Sequence, residues 1–460
     1  MKKMGRTERV HFVGIGGIGM SGIAEVLINL GYSVSGSDLQ HNKFMDRLNS
    51  LGAVTTEGHK PENVHGADVV VYSSAVKLDN IELREAERLQ IPVIPRAEML
   101  GELMRMKYSI AISGSHGKTS TTSLAAGLLD KAGYDPTVVI GGRLKIFGSN
   151  ARLGQGDYLV AEADESDKSF LKLLPTLAVV TNIDEEHLDT YRDIEDIKDA
   201  FIEFVNSVPF YGAAIICIDD QYSQQIIPEI ERRIITFGQS RQADIVASNI
   251  RLKEFITSFD LTIFGEEMGR IKQKIPGIHS VYNSLAAIAV ATEIGIDFKT
   301  SQKAFSEFEN AERRVELIGE EHGIMILDDY GHHPTEIVAT LKGIKEGWNR
   351  RLVVAFQPHR YSRTQALMDK FQRAFYESDV VVVTDIYPAG EEKIPDVQAE
   401  EIAEGIKKYG HKEVYYRKNI NEVPELLSEV THEGDIVLTL GAGDIFKVGR
   451  KFLNLLKKRG

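Results

Sequence analysis

The chain has 460 residues, 43% apolar and 26% charged, with 13 prolines and a formal net charge of −13. That length suits about three domains. No apolar run approaches the ~18 residues that span a membrane. The opening MKKMGRTERVHFVGIGG lacks the apolar stretch of a signal peptide, so the expected compartment is the cytoplasm, with no membrane insertion. The acidic balance argues against general affinity for nucleic acid.

In the first block, RVHFVGIGG reads as a strand with a glycine turn, and SGIAEVLINLG as a helix stopped by Gly31. YSVSGSD, ADVVVYSSA and IPVIP read as further strands. Strands alternating with helices predict a doubly wound parallel sheet. Gly14, Gly16 and Gly19 form G-x-G-x-x-G after a strand, with Asp38 ending the next strand. Alone this is a dinucleotide fingerprint, the acid being placed for a ribose hydroxyl. The same turn holds any diphosphate, so it leaves open NAD or a nucleotide-linked substrate.

The second block begins near Lys107. Tyr108 to Ile112 reads as a strand, SGSHGKTS as a loop, and TSTTSLAAGLLDKAG as a helix. This is the recipe for gripping nucleotide phosphates: backbone N–H groups and a helix N-terminus face the anion, Lys118 adds a charge, and Thr119 offers magnesium a hydroxyl. The loop is shorter than G-x-x-x-x-G-K-[ST], because Ile112 stands at the first glycine. DYLVAEAD, TLAVVTNID and AAIICIDD continue the sheet, and the single cysteine, Cys217, reads as strand filling. Glu162, Asp164, Glu165 and Asp167 crowd one strand end, which suits a magnesium ion or its water shell. His187 lies past the next strand of the same sheet. ADIVASNI, FITSFDLTIF and GRIKQKI read as antiparallel edge strands, and His279 to Glu293 as a closing helix.

The third block begins around Arg313 with four strand–helix units. Asp328, Asp329, His332 and His333 follow one strand; His359, Arg360 and Arg363 follow the next. Two such loops on neighbouring strand tips suggest a pocket for a small carboxylate, which the arginine fork grips bidentately. No H-x-x-x-H or cysteine pairing supports zinc instead. Arg313 and Arg314 either reach a phosphate or pair with Glu312 and Glu316. The expected domains are 1–104, 105–311 and 312–460.

GIGGIGM, SGSHGKTSTT, AEADESD, TNIDEEHLD, HSVYNSLAA, ERR, DDYGHHPTE and QPHRYSRT occur here in order from residue 14 to 364. In that set the chain resembles the muramyl ligases of bacterial cell-wall synthesis over essentially its whole length. The resemblance implies an α/β fold of three domains. A Rossmann-like N-terminal domain precedes a central P-loop ATPase-type domain with a parallel sheet and a small antiparallel one. A Rossmann-like C-terminal α/β domain follows.

It further implies an ATP-dependent acid–amino-acid ligase of peptidoglycan precursor synthesis, using UDP-N-acetylmuramate, L-alanine and ATP with Mg2+ (Mn2+ as a substitute). An acyl phosphate would be the intermediate, and the enzyme a monomer or homodimer. Gly14, Gly16, Gly17, Gly19, Asp38, Ser73, Ser74 and Arg96 would bind the UDP-sugar. Gly114, Ser115, His116, Gly117, Lys118, Thr119 and Ser120 would bind ATP, with His279, Asn283, Arg314 and Asp329. Thr119, Glu162 and His187 would hold the metal. Tyr330, His332, His359, Arg360 and Arg363 would surround the amino acid, and Lys118, Glu162, His187, His332 and Arg360 would carry the chemistry. Ser280 departs from the His-Asn often found there in the family, and Lys198 is the one lysine in the helix after His187. The alternatives are a ligase attaching a whole tripeptide to the same UDP-sugar and, from another class, an NAD-dependent oxidoreductase.

Overall fold

The computed structural model describes residues 4–73, 75–144, 149–187, 190–308 and 313–459. Backbone packing divides the chain into two compact units. One comprises Met1–Asn249, Phe259–Ile271 and Tyr282–Glu309; the other comprises Ile250–Ser258, Lys272–Val281 and Asn310–Gly460. No helix among the described residues is long and apolar enough to cross a membrane.

The first unit starts with a parallel five-stranded sheet. Its order is Val54–Glu57, Ser33–Asp38, Arg9–Val13, Val69–Tyr72 and Val93–Pro95. The order reverses at Arg9–Val13, and in such sheets ligands bind outside the carboxyl ends of the strands at that point. The glycine turn stands there, leading into the helix Ile18–Asn29.

A second sheet of ten strands has Tyr108–Ser113 near its middle, between Leu177–Val180 and Tyr158–Glu162, all three parallel. Ala213–Cys217 and Ile234–Gly238 extend it on one side, Thr137–Leu144 and Ser149–Arg152 on the other. Ile245–Lys253, Ile256–Ile263 and Glu266–Gln273 finish one edge, joined by two-residue connections that only antiparallel neighbours allow. The helix foreseen at His279 to Glu293 runs Ile278–Ile294.

Apolar strands explain the core. Leu177–Val180 and Ala213–Cys217 are buried at every position, as a sheet covered on both faces requires. One cluster joins Ile23 and Leu27 of the first layer to Leu100, Phe170, Phe201 and Phe204 beside the second sheet. Burial pushes the Cys217 thiol up to about 12, so it stays protonated and behaves as strand filling.

The second unit carries a mixed six-stranded sheet. Glu316–Glu321 runs antiparallel to Ile324–Asp329; Ile436–Leu440, Leu352–Phe356, Val380–Thr384 and Val414–Arg417 follow in parallel. The two histidine-bearing loops leave the carboxyl ends of Ile324–Asp329 and Leu352–Phe356.

Candidate active site

The loop expected to grip phosphates is built by its glycines. Gly114 adopts φ +131° and Gly117 φ +81°, the latter as N-cap of the helix Lys118–Lys131. Side chains rarely adopt such angles. Space forbids them too: a Cβ on Gly114 would collide with Thr181 Oγ1, and one on Gly117 with Asn283 Oδ1. His116 is tied to the neighbouring strand end. Its carbonyl accepts from Thr181 Oγ1 at 2.6 Å and Asn182 Nδ2 at 2.9 Å, and its N–H donates to Asn182 Oδ1 at 2.9 Å.

Lys118 donates to the carbonyls of Gly114 at 2.7 Å and Ser115 at 3.1 Å, and to Glu165 Oε1 at 2.8 Å. Burial alone would favour its neutral form, but Glu165 and Asp164 hold it charged, well above the ordinary lysine range. Thr119 Oγ1 donates to Glu162 Oε2 at 3.0 Å. His187, at φ +56°, places Nε2 3.4 Å from Glu165 Oε1 and 3.8 Å from Glu186 Oε2. Burial lowers its proton affinity, yet those two carboxylates raise it above the usual histidine value. The Tyr191 hydroxyl donates to the Glu165 carbonyl at 2.6 Å. The other Glu165 oxygen, Oε2, is buried with no hydrogen-bond donor among the described residues.

Glu165, Glu186 and His187 offer one ligand atom each, mutually within 4.8 Å. An undonated buried carboxylate oxygen in that company fits a hard cation, since magnesium takes oxygen ligands. The Lys198 amine is bound to Glu195 at 2.7 Å and Gln225 at 3.0 Å.

The glycine turn is stiffened from behind. Gly14 and Ile15 both donate to the Ser37 carbonyl, at 2.8 and 3.0 Å. The Ser37 hydroxyl donates at 2.5 Å to Glu82, a fully buried carboxylate. Glu82 also accepts from Asn63 Nδ2 at 2.5 Å and Lys60 N at 3.1 Å, with His11 and His59 nitrogens 3.5 Å away. Asp38 accepts the Gly16 N–H at 2.8 Å, so the acid braces the turn itself. A Cβ on Gly14, at φ +85°, would stand 3.2 Å from Ser73 Cβ. Arg96 lies 2.7 Å from the place of a Cβ on Gly19. The charge of Arg96 also reaches Asp164. Burial raises the Asp164 carboxyl, but Lys118, Ser166 and Arg96 together pull it below the usual range. Arg96, set against the turn at Gly19, thus also lies within electrostatic reach of the acid beside Lys118. Ser74 lies outside the described residues, as does the expected junction at 311/312.

In the second unit, His279 is half-buried, and desolvation with the nearby Arg314 charge pushes it down to about 4. Its Nδ1 has no partner among the described residues. Ser280 donates to the carbonyls of Gly277 at 2.7 Å and Ile275 at 3.1 Å, so it fastens the turn before the helix. Asp329 accepts N–H groups from Gly331 at 2.8 Å and Val315 at 2.9 Å; burial nonetheless raises it to about 6.

Four rings run in a row: Tyr330 to His332 at 5.4 Å, His332 to His359 at 5.6 Å, and His359 to Tyr387 at 5.6 Å. Arg360 and Arg363 lie close enough for their charges to help hold His359 neutral. Arg313 is taken up by Asp328 at 2.7 Å and the Gly441 carbonyl at 2.6 Å, while Arg314 approaches Glu336 at 3.7 Å.

Sequence reasoning passed over Tyr387, Glu186 and Glu82. It counted Glu165 among the crowded acids without assigning it a role. Asn283, foreseen near the nucleotide, stands against Gly117 and accepts from Thr121 Oγ1 at 3.2 Å.

Three consecutive segments match known protein families. Residues 9–108 match the Mur ligase family, catalytic domain; 112–291 the Mur ligase middle domain; 313–443 the Mur ligase, glutamate ligase domain. The chain is similar to the UDP-N-acetylmuramate--L-alanine ligase of Geotalea daltonii, 56% identical over 99% of both chains. The ligase of that name from Geotalea uraniireducens is 57% identical over 98% of this chain and 99% of its own. Among solved structures, UDP-N-acetylmuramate-alanine ligase from Thermotoga maritima superposes with a TM-score of 0.80 at 28% identity, covering 98% of this chain and 100% of its own. Matches that tile the sequence in this order, and relatives alike from end to end, make the chain a member of the Mur ligase family.

Proposed function

We propose that this chain is an ATP-dependent ligase that joins L-alanine to the lactyl carboxylate of UDP-N-acetylmuramate, releasing ADP and phosphate, in peptidoglycan precursor synthesis. The names of relatives more than half identical over nearly the whole chain support it. The observation that carries it is that both glycine loops belong to one compact unit, with Arg96 against the turn at Gly19 and its charge felt at Asp164 beside Lys118. That arrangement would let an acid held by one loop meet a triphosphate held by the other.

A carboxylate is a poor acceptor for an amine in water and must first be activated. Its oxygen attacks the γ-phosphorus of ATP; that P–O bond forms, the bond to the β-phosphate oxygen breaks, and ADP leaves an acyl phosphate. Both reactants are anionic, so positioning and charge neutralisation dominate. The N–H groups of Gly117–Ser120 at the helix N-terminus and the Lys118 ammonium would supply these from the protein, the Ser115 and His116 N–H groups being taken by Asn182. Thr119, Glu162 and His187, with Glu165 and Glu186 beside them, would hold Mg2+, which supplies further positive charge to the phosphates. The neutral amine of alanine then attacks the acyl carbon, and phosphate departs from the tetrahedral intermediate. Arg360 and Arg363 would clamp the alanine carboxylate, and His332 would accept the amine proton.

Phosphate release with UDP-N-acetylmuramate against a panel of amino acids and the tripeptide tests this reading. Turnover with alanine supports it; release with the tripeptide alone refutes it. Cell fractionation tests the cytoplasm, where UDP-linked precursors are made, and light scattering tests for a monomer or homodimer.

A further inference from the structure

The loop after Val380–Thr384 has no part in the reaction sketched above, yet it is fastened at several points to the loop that bears His359 and Arg360. Arg360 N donates to the Tyr387 carbonyl and Tyr387 N to the Pro358 carbonyl, both at 2.8 Å. Farther along, Glu391 accepts from Ser362 Oγ at 2.7 Å and Ser362 N at 3.1 Å, and Arg360 stands 3.9 Å from it.

The fastening answers a local strain. Arg360 is not glycine, yet its φ is +72°. A side-chain-bearing residue keeps such an angle only where its surroundings over-determine it. Here the bond to the Tyr387 carbonyl does so directly.

The side chain does a second thing. Tyr387 runs parallel to the His359 imidazole in an offset stack, with an interplanar angle of 10° and centroids 5.6 Å apart. Elsewhere the Gly443 backbone packs against Tyr387, so closely that a Cβ there would stand 2.7 Å from Tyr387 Cγ, while the residue is still 37% exposed and lines a cavity of about 640 Å3 with Thr384, Asp385 and Lys418. The imidazole therefore has two ring neighbours, Tyr387 parallel to it and His332 tilted against it. Burial, with the charges of Arg360 and Arg363 nearby and Glu391 opposing them, pushes His359 down to about 4.

We propose that Tyr387 is a positioning residue for the amino-acid substrate: its ring fixes the plane of the His359 imidazole and its backbone fixes Arg360. This inference rests on the ligase reading for the identity of that substrate. Amino-acid affinity then depends on a side chain that need not touch the amino acid itself.

The test uses the full chain with Tyr387→Ala and Tyr387→Phe. For Y387A we expect KM for L-alanine to rise about tenfold, while KM for ATP and UDP-N-acetylmuramate stays within about twofold. Y387F keeps the stacked ring and restores the alanine KM to within about threefold of wild type. In spectra of ring-labelled histidine, Y387A moves the His359 titration up toward the ordinary imidazole range. An unchanged alanine KM in Y387A overturns the proposal. So does a parallel rise of all three KM values with a lowered Tm, or equal defects in Y387A and Y387F. A wild-type chain that joins no amine defeats the ligase reading alone; the His359 titration still decides whether Tyr387 sets the imidazole.

Discussion

The Lys118 ammonium and the Glu165 carboxylate stand 2.8 Å apart with side chains only 15% and 2% exposed. An ammonium has three donors, and Lys118 directs them to Glu165 and to the Gly114 and Ser115 carbonyls. A phosphate that engages Lys118 must displace one of these. We expect Lys118→Ala to lower turnover by at least about 10²–10³-fold, read as ADP release. The same change leaves Glu165 buried without its partner, so stability should drop by about 3–5 kcal/mol in denaturant titrations. Near-normal turnover would remove the phosphate-loop assignment.

Gly117→Ala meets two obstacles, the positive φ and the Asn283 carboxamide. Nucleotide binding, measured by calorimetry, should fall below detection. Adding Asn283→Ala clears the collision but not the backbone cost of about 1–2 kcal/mol, so the double variant recovers only part of the affinity. Full recovery would show that space alone dictates glycine there.

Glu82 gives a pH signature. Its burial favours the protonated form, but bonds from His11, Ser37, Asn63 and Lys60 win and lower it from 4.5 to about 2. A folded-state value below the unfolded one stabilises the fold above pH 4.5, and that stability is lost as pH falls through about 2. Glu82→Gln should cost up to about 3 kcal/mol at neutral pH and lose less in acid. Because Ser37 holds the glycine turn through its carbonyl, KM for the UDP-sugar should rise too. Equal slopes of stability against pH in the two proteins would rule this out.

Chelation should abolish turnover, and Mg2+ or Mn2+ should restore it. His187→Ala should raise the metal concentration needed for half-maximal rate. Protons compete with a cation for His187, whose proton affinity Glu165 and Glu186 have raised, so the wild-type requirement should climb as pH falls through that titration. A metal requirement identical in H187A and wild type would exclude the histidine as a ligand.

Much of this was legible in one sequence because it is local. Strand, glycine loop and helix sit consecutively at Tyr108–Lys131, and apolar runs bounded by turns announced most of the parallel strands. The Val54–Glu57 strand was missed because VTTE is short and three of its four residues are polar, and Thr137–Leu144 because two glycines interrupt it. Glu165 and Glu186 could not be paired with His187 from spacing alone. Their meeting depends on how the ends of Tyr158–Glu162 and Leu177–Val180 are set by the strand between them. Tyr387 carried no signal either: an aromatic after a strand reads as packing until its partner ring is known.

The buried Cys217, the only cysteine in the chain, sits at 3% exposure on a strand interior to the central sheet. An alkylating reagent therefore reaches that sulfur only when the sheet opens, which makes the native protein its own unfolding reporter. It also leaves the surface blank for thiol chemistry. One introduced cysteine on an exposed loop would carry a fluorophore alone, without any need to mutate the natural one away.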